Sequence, residues 1–289
     1  MSKARRDYFI TIPDDGLLTR DVGQWAEQKY RYIGMYADLF STGMKNHWKR
    51  RVYLDLFSGP GHSRVRGTRR VVLGSPLVAL TLRDLFDTYV FSDADEASVE
   101  ALEARVARMG HHDRCRFVTG DVNHRVDEIA AHIQGAVGER ALSFCFLDPY
   151  GLNIHFDTVR RLATGRDIDF LILLALHMDA ARNARAYQAT GDKRIEHFLG
   201  DPVWREQWGN AAERGATIVE FLAEAYSARM AALRYLPMPL DQMVKIRSYD
   251  KNLPLYYLAF FTRHKTGLKF WKEVLKYANE QLELPLDGS

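Results

Sequence analysis

The sequence predicts an α/β protein built on a seven-stranded, mostly parallel sheet. Three observations carry that prediction. Strand-like and helix-like segments alternate through five units from residue 51 onward. The runs RVYLDLFSGPG (51–61) and SFCFLDPYG (143–151) each end an apolar strand on an acid and then turn formers. Near the end, QMVKIRS and LPLYYLAFFTR read as two strands joined by the turn-rich YDKN. Such alternation implies parallel strands with helices on both faces, and right-handed crossovers leave few topologies. An antiparallel hairpin added to the edge of five parallel strands completes seven.

The elements follow in order. After a polar, proline-containing lead-in (1–20), the stretch DVGQWAEQKYRYIGMYADLFSTGMK places Trp25, Tyr32, Ile33, Tyr36 and Phe40 at helical spacing, a stripe that reads as core. Lys29 lies one turn before Ile33, on or beside that face, where it either snorkels or reaches an anion. VYLDLF reads as a strand, SPLVALTLRDLF as a helix and TYVFSD as a strand. DEASVEALEARVARM is an amphipathic helix, RCRFVTGD a strand, VNHRVDEIAAHI a helix and ALSFCFLD a strand. FDTVRRLA is a helix, and IDFLILLAL closes the series as the fifth strand. Helical stretches from 181 to 235, broken at Gly200-Asp201-Pro202, read as an inserted cap. GLKFWKEVLKYANEQLEL forms a last helix. The organisation expected is an N-terminal helical segment (1–50), a ligand-binding core (51–180), a helical cap (181–235) and a hairpin with a helix completing the sheet (236–289). No internal repeat or low-complexity segment interrupts it.

Composition narrows the class. A chain of 289 residues, 47% apolar and 27% charged, holds one large soluble domain or one with an appendage. The net charge of +3 names no partner. Its distribution says more: RVRGTRR packs Arg64, Arg66, Arg69 and Arg70 into seven residues behind the first glycine turn, either solvating a loop or contacting phosphate. Cys115 and Cys145 sit in apolar runs, suit a reduced compartment and cannot make a multi-cysteine metal site. His111 and His112 fall in a helix-to-strand loop away from the strand ends, so no metal is expected. MSKARRDYF lacks a signal core, and no apolar run reaches spanning length. A cytoplasmic protein without a membrane partner is expected.

The turns carry the chemistry. In open α/β sheets ligands bind beyond the carboxyl ends of the strands, where strand order switches. In DLFSGPG, Asp55 and Phe57 precede Gly59 and Gly61, which let backbone approach a ligand. In YVFSDAD, Asp93 and Asp95 end the second strand, where an acid commonly accepts from both ribose hydroxyls. Asp121 in TGDVN receives an adenine amine or caps the helix beginning at Val122. Asp148, Pro149 and Tyr150 follow the fourth strand. The run GPGHSR lacks the third glycine of a dinucleotide fingerprint, and no GxxxxGK[ST] phosphate loop occurs. A nucleoside cofactor without pyrophosphate fits better, with S-adenosylmethionine the candidate. His177 and Asp179, after the fifth strand, either touch substrate or cap a helix. In TRHKTGLKFW, Arg263, His264 and Lys265 form a basic turn able to touch phosphate, while Phe270 and Trp271 read as core. Lys245, Arg247 and Lys251 add positive charge nearby in sequence.

This ordering resembles the class I S-adenosylmethionine-dependent methyltransferases, whose Rossmann-like sheet has five parallel strands and a reversed hairpin. More closely, YLDLFSGPG, GSPLVAL, FLDPYGLNIHFDTV and DKNLPLYYLAFFTRHKTGLKFWKEV resemble the three-Cys-motif partner proteins, over nearly the whole chain. That family is named for a neighbouring radical-SAM-like protein with three cysteines; with two cysteines, this chain resembles the partner. The resemblance implies that Asp55, Phe57, Gly59 and Gly61 hold the cofactor, Asp93 its ribose and Asp121 its adenine. It also implies that Asp148, Pro149 and Tyr150 hold the target. In methyltransferases of nucleobase amines, an Asp/Asn-Pro-aromatic turn orients an amine whose lone pair is delocalised into its ring. Asp148 and the Pro149 carbonyl accept its N–H groups while Tyr150 stacks on the unstacked base, so positioning does most of the work.

The motif departs from the usual two prolines, since Tyr150 directly follows one, as in guanine-amine tRNA methylation. DLFSGPG also resembles the first motif of cytosine-C5 methyltransferases, but those need a Pro-Cys nucleophile that is absent here. The expected function is therefore methylation of an exocyclic nucleobase amine in DNA or RNA. Arg64, Arg66, Arg69, Arg70, His264 and Lys265 are the expected nucleic-acid contacts. Two alternatives stand beside it: a methyltransferase of protein or small molecules, and a binding partner of the three-Cys-motif protein with little or no activity.

Overall fold

The computed structural model describes residues 7–134, 139–189, 191–249 and 252–282; Lys251 lies outside them. The chain begins with β1 (Thr11–Ile12), β2 (Arg20–Val22), α1 (Ala26–Met44), β3 (Arg51–Asp55), β4 (His62–Val65), β5 (Val71–Leu73) and α2 (Ser75–Leu80). It continues through β6 (Thr88–Asp93), α3 (Glu96–Arg108), β7 (Cys115–Thr119), α4 (Val122–Ile133), β8 (Leu142–Leu147), α5 (Phe156–Ala163) and β9 (Asp167–Leu174). After a π-helical turn (Leu176–Ala180) come α6 (Ala181–Gln188), α7 (Arg194–Leu199), α8 (Trp204–Glu213) and α9 (Ile218–Ala232). The hairpin β10 (Val244–Arg247) and β11 (Pro254–Phe261) leads into α10 (Lys265–Leu282).

Seven strands form one sheet in the order β10-β11-β9-β8-β3-β6-β7. The pairs β3–β6, β6–β7, β3–β8 and β8–β9 are parallel, whereas β11 runs antiparallel to β9 and to β10. The expected fold class is therefore the one observed. The strand order reverses at β3, whose neighbours are β6 and β8, so the two strand-then-acid runs lie side by side, with Asp55 opposite Phe146.

The strands of the sheet centre are buried along almost their whole length because both faces are covered. Neighbouring residues of β11 show which helix covers which face. Phe260 packs on Tyr36 of α1, ring centroids 4.6 Å apart, while Phe261 packs on Tyr226 of α9 at 5.9 Å. Successive strand residues point to opposite faces, so α1 and α9 lie on opposite sides. Four of the five residues of the predicted stripe are core: Tyr32, Ile33, Tyr36 and Phe40 are buried, while Trp25, just before α1, is half-buried against them. One buried polar contact crosses that core, where the Tyr36 hydroxyl donates to Asp169 Oδ2 at 2.6 Å.

Local differences from the sequence reading have local causes. The stretch SPLVALTLRDLF keeps its helix only over Ser75–Leu80. Gly200 ends α7 at φ +60°, and the predicted break at 200–202 separates α7 from α8. The arginine-rich segment behind the glycine turn is the β4–β5 hairpin rather than an irregular loop. With β1 and β2 it forms a second sheet in the order β1-β5-β4-β2, so residues of the first twenty-two pair directly with residues 62–73.

Candidate active site

The turns after β3, β6, β7 and β8 converge on one edge of the large sheet. Asp55 ends β3 and is fully buried. Its Oδ2 lies 3.5 Å from the Tyr53 hydroxyl, and its Oδ1 has no hydrogen-bond partner. Burial pushes the carboxyl up to about 7, against the pull of Ser75, Lys29 and the Phe57 amide. Gly59 and Gly61 follow at φ +59° and +85°, a conformation that strains any side chain. A Cβ on Gly59 would meet nothing within 4 Å, so the turn faces open space.

Asp93 closes the turn from the neighbouring strand. Its Oδ2 accepts the Gly59 N–H at 2.8 Å, its Oδ1 accepts the Asp95 N–H at 3.0 Å, and Arg20 of β2 approaches Oδ1 at 3.4 Å. Asp95 binds Arg20 at 3.0 Å and the Ser98 hydroxyl at 2.6 Å. Asp121 accepts the Asn123 N–H at 2.8 Å as the N-cap of α4, and it also faces a cleft. The cap is the contact observed, and the carboxylate also borders the cleft.

The cleft, about 300 Å³, is walled by Phe57, Ala94, Val122 and Leu152 on its apolar side. On its polar side stand Asp121, Asn153, His155, Arg194 and His197. The rings of His155 and His197 lie 4.5 Å apart, and burial, with His197 beside it, lowers the pKa of His155. These three basic side chains were missed in the sequence because two of them come from α7, inside the inserted segment.

At the β8 turn, Asp148 is part-buried and bonded through Oδ2 to Lys29 Nζ. Lys29 is 3% exposed and packs over the rings of Tyr30 and Trp25, at 4.9 and 5.1 Å. Burial disfavours its charge, yet Asp148 holds its pKa above the ordinary lysine range. Of the two roles open to Lys29, the anion contact is the one observed. Pro149 is buried, whereas Tyr150 is 92% exposed. The following loop is anchored by Asp179, which accepts the Leu152 N–H at 2.8 Å, the Asn183 side-chain amide at 2.8 Å and the Tyr187 hydroxyl. A Cβ on Gly151 would sit 2.4 Å from Asp179 Oδ2, so glycine is required there. Asp179 therefore serves the scaffold. His177 stacks on Tyr257 at 5.6 Å.

The expected basic contacts divide. Arg64 pairs with Asp14 at 2.6 Å on the second sheet, while Arg66, Arg69 and Arg70 are exposed at the hairpin tip. Arg70 also lies over the Phe9 ring at 5.0 Å. His264 and Lys265 require correction. They follow β11, which runs antiparallel to β9, so they lie beside the beginning of β9, with His264 3.8 Å from Asp167. That is the opposite edge of the sheet from Asp148. Arg263 is structural, donating to the carbonyls of Leu233, Ala163 and Arg166.

The cleft suits a flat-ringed polar ligand, since its polar side sets the single acid Asp121 beside His155, Arg194 and His197. Acids stand at four adjacent strand ends, apolar side chains wall the cleft, and the turn Leu56–Gly61 contains no lysine or arginine for a pyrophosphate. Both cysteines are buried and free, so neither is an accessible nucleophile. Among the described residues there is no group of three or more His, Cys, Asp or Glu able to hold a metal, and no helix is long and apolar enough to cross a membrane.

No protein-family model matches the chain, and no curated protein matches it. Among solved structures, protein LPL1258 from Legionella pneumophila is similar at 11% identity and TM-score 0.46, over 86% of this chain and 90% of that one. An O-methyltransferase from Bacillus cereus in complex with SAH is similar at 12% and 0.45, over 79% and 80%. The O-methyltransferase TomG from Streptomyces achromogenes, in complex with SAM, is similar at 12% and 0.42, over 78% and 79%. At these values the likenesses say nothing about chemistry.

Proposed function

We propose that the chain is an S-adenosylmethionine-dependent methyltransferase acting on an exocyclic amine of a nucleobase. The observation that carries this reading is the placement of Asp55, Asp93, Asp121 and Asp148 at four adjacent strand ends, with Asp121 and Phe57 lining a cleft and Gly59 facing open space. Phe57, Gly59 and Gly61 line the nucleoside, Asp93 takes its ribose and Asp121 its amine. When bound, the cofactor supplies an electrophilic methyl group.

The rest is the work of the β8 turn. Asp148 and the Pro149 carbonyl accept the N–H groups of the acceptor, and exposed Tyr150 offers a ring to the base. Because Lys29 already takes Asp148 Oδ2, the acceptor is left Oδ1. Calorimetry with S-adenosylmethionine and S-adenosylhomocysteine tests the first half. Binding is expected in the wild type and weaker in Asp121→Asn, which keeps a helix cap but loses the carboxylate. Labelled methyl transfer to nucleic acid, sensitive to nuclease and lost in Asp148→Ala, tests the second. Folded protein that binds neither ligand would sink the reading.

The Lys29 contact also favours a second reading, since a lysine on the acceptor acid suits a fold that has given up turnover. The chain would then be the partner of a radical-SAM-like three-Cys-motif protein, as its sequence resemblance implies. Cofactor binding with no transfer to DNA, RNA or protein pools, together with a stable complex with such a protein, would select it.

A further inference from the structure

The rim of the Asp148 mouth has a composition that neither the cofactor nor the acid turn uses. Of five large hydrophobic side chains exposed among the described residues, three are here: Tyr150 at 92%, Leu253 at 52% and Tyr249 at 48%. They belong to the β8 turn and the β10–β11 loop. Tyr150 stands close enough to Tyr256, and Tyr249 to Glu27 and Arg70, for their charges to interact, and direct contacts tie α1 to both flanks. Trp25 packs on Tyr256 at 4.8 Å, and the Gln28 side chain donates to the Arg247 carbonyl at 3.4 Å. Arg70 at the β4–β5 tip reaches Glu27, one residue before Gln28, at 3.9 Å. Basic groups therefore stand on both flanks, with Arg66, Arg69 and Arg70 on the hairpin tip and Arg247 and Lys245 on β10. Lys245 Nζ lies 5.9 Å from the Tyr257 ring. Of the acids beside this rim, Glu27 is already held by Arg31 at 2.9 Å and Asp148 by Lys29.

We infer that this rim docks single-stranded nucleic acid, its arginines and lysine on the phosphates and Tyr150 and Tyr249 on the bases. Alternation of positive side chains with exposed rings is what a single strand requires: phosphates need charge, and unpaired bases need a flat apolar surface. A duplex hides its base faces and would leave the tyrosines idle. The inference rests on the transferase reading for its purpose and names that reading's substrate form, but its test does not need turnover.

The test is fluorescence anisotropy of labelled oligouridylate and oligothymidylate of about 20 nucleotides, titrated with full-length protein between about 50 and 300 mM salt. Five basic contacts predict a log–log salt slope of about −3.5, and Arg66→Ala/Arg69→Ala/Arg70→Ala should remove about 2 of it. Tyr150→Ala should weaken binding roughly tenfold with the slope unchanged. All four side chains are exposed, and unchanged thermal melts confirm folding. Absence of binding at the lowest salt, or a slope unmoved by the triple variant, overturns the inference. So does a duplex bound as tightly with Tyr150→Ala silent, or poly-glutamate competing as well as the oligonucleotide. S-adenosylhomocysteine titrated in parallel separates the two failures: its binding without oligonucleotide binding sinks this face alone, and the reverse sinks the transferase reading alone.

Discussion

At the β3–β6–β7 end of the sheet edge, Asp93 and Asp121 commit their oxygens to backbone N–H groups of adjoining turns. At the β8 turn, Asp148 depends instead on a lysine 119 positions away in the chain. The first arrangement uses backbone donors of the strand-end turns themselves, the most distant of them Gly59 at 34 positions from Asp93. The second makes the acceptor acid hostage to the placement of α1, so anything that shifts that helix alters the charge the acceptor meets. Asp55 sits at the seam, pulled by Lys29 and pushed by Asp148.

The seam gives the largest expected effect. A carboxyl held at about 7 in the folded state and near 3.8 when unfolded keeps its proton longer in the native protein. Stability is then present in acid, falls as pH rises from about 4 to about 7, and is flat above. Asp55→Asn should match wild type near pH 4 and exceed it at pH 8 by at most about 4 kcal/mol in urea melts. Equal curves at both pH values would remove Asp55 from the seam. Next, Lys29→Met should cost about 3 kcal/mol by leaving Asp148 part-buried and unpaired, with most of it recovered in Lys29→Met/Asp148→Asn. A loss below about 1 kcal/mol would erase the contrast between the two ends.

Smaller effects sharpen the local end. Asp121→Ala should lose about 1 kcal/mol of helix capping, and Asp121→Asn should restore it. Tyr150→Ala, at so exposed a site, should change stability by less than about 0.5 kcal/mol in the same melts. A larger loss would mean that the ring packs in solution and is not free for a base.

What the sequence disclosed follows the same division. Strand–helix alternation and acids after apolar runs are local patterns, so the sheet and the sites of Asp55, Asp93, Asp121 and Asp148 could be read directly. The Lys29–Asp148 pair could not, because no periodicity links α1 to the β8 turn. The second sheet escaped because strands of two to four residues carry too little alternation to register. The position of His264 and Lys265, by contrast, is legible in the hairpin itself. A strand expected to run antiparallel must deliver its following turn to the opposite edge, away from the ligand mouth. The wall formed by Arg194 and His197 has no such signal, since helical spacing within an insertion does not say which helix leans over a cleft.

Arg105 of α3 gives the first twenty residues a consequence beyond their length. Buried at 3% exposure, it grips both oxygens of Asp15 at 2.6 and 2.9 Å, the Leu18 carbonyl at 2.8 Å and the Pro60 carbonyl at 2.6 Å. Pro60 lies between the two glycines of the mouth. The N-terminal arm and the glycine turn thus share one rivet, and an opening of either exposes the same guanidinium. Amide exchange in the two segments should rise and fall together, as one cooperative unit, although more than forty positions separate them. A protease that clipped the arm would loosen the turn without touching it.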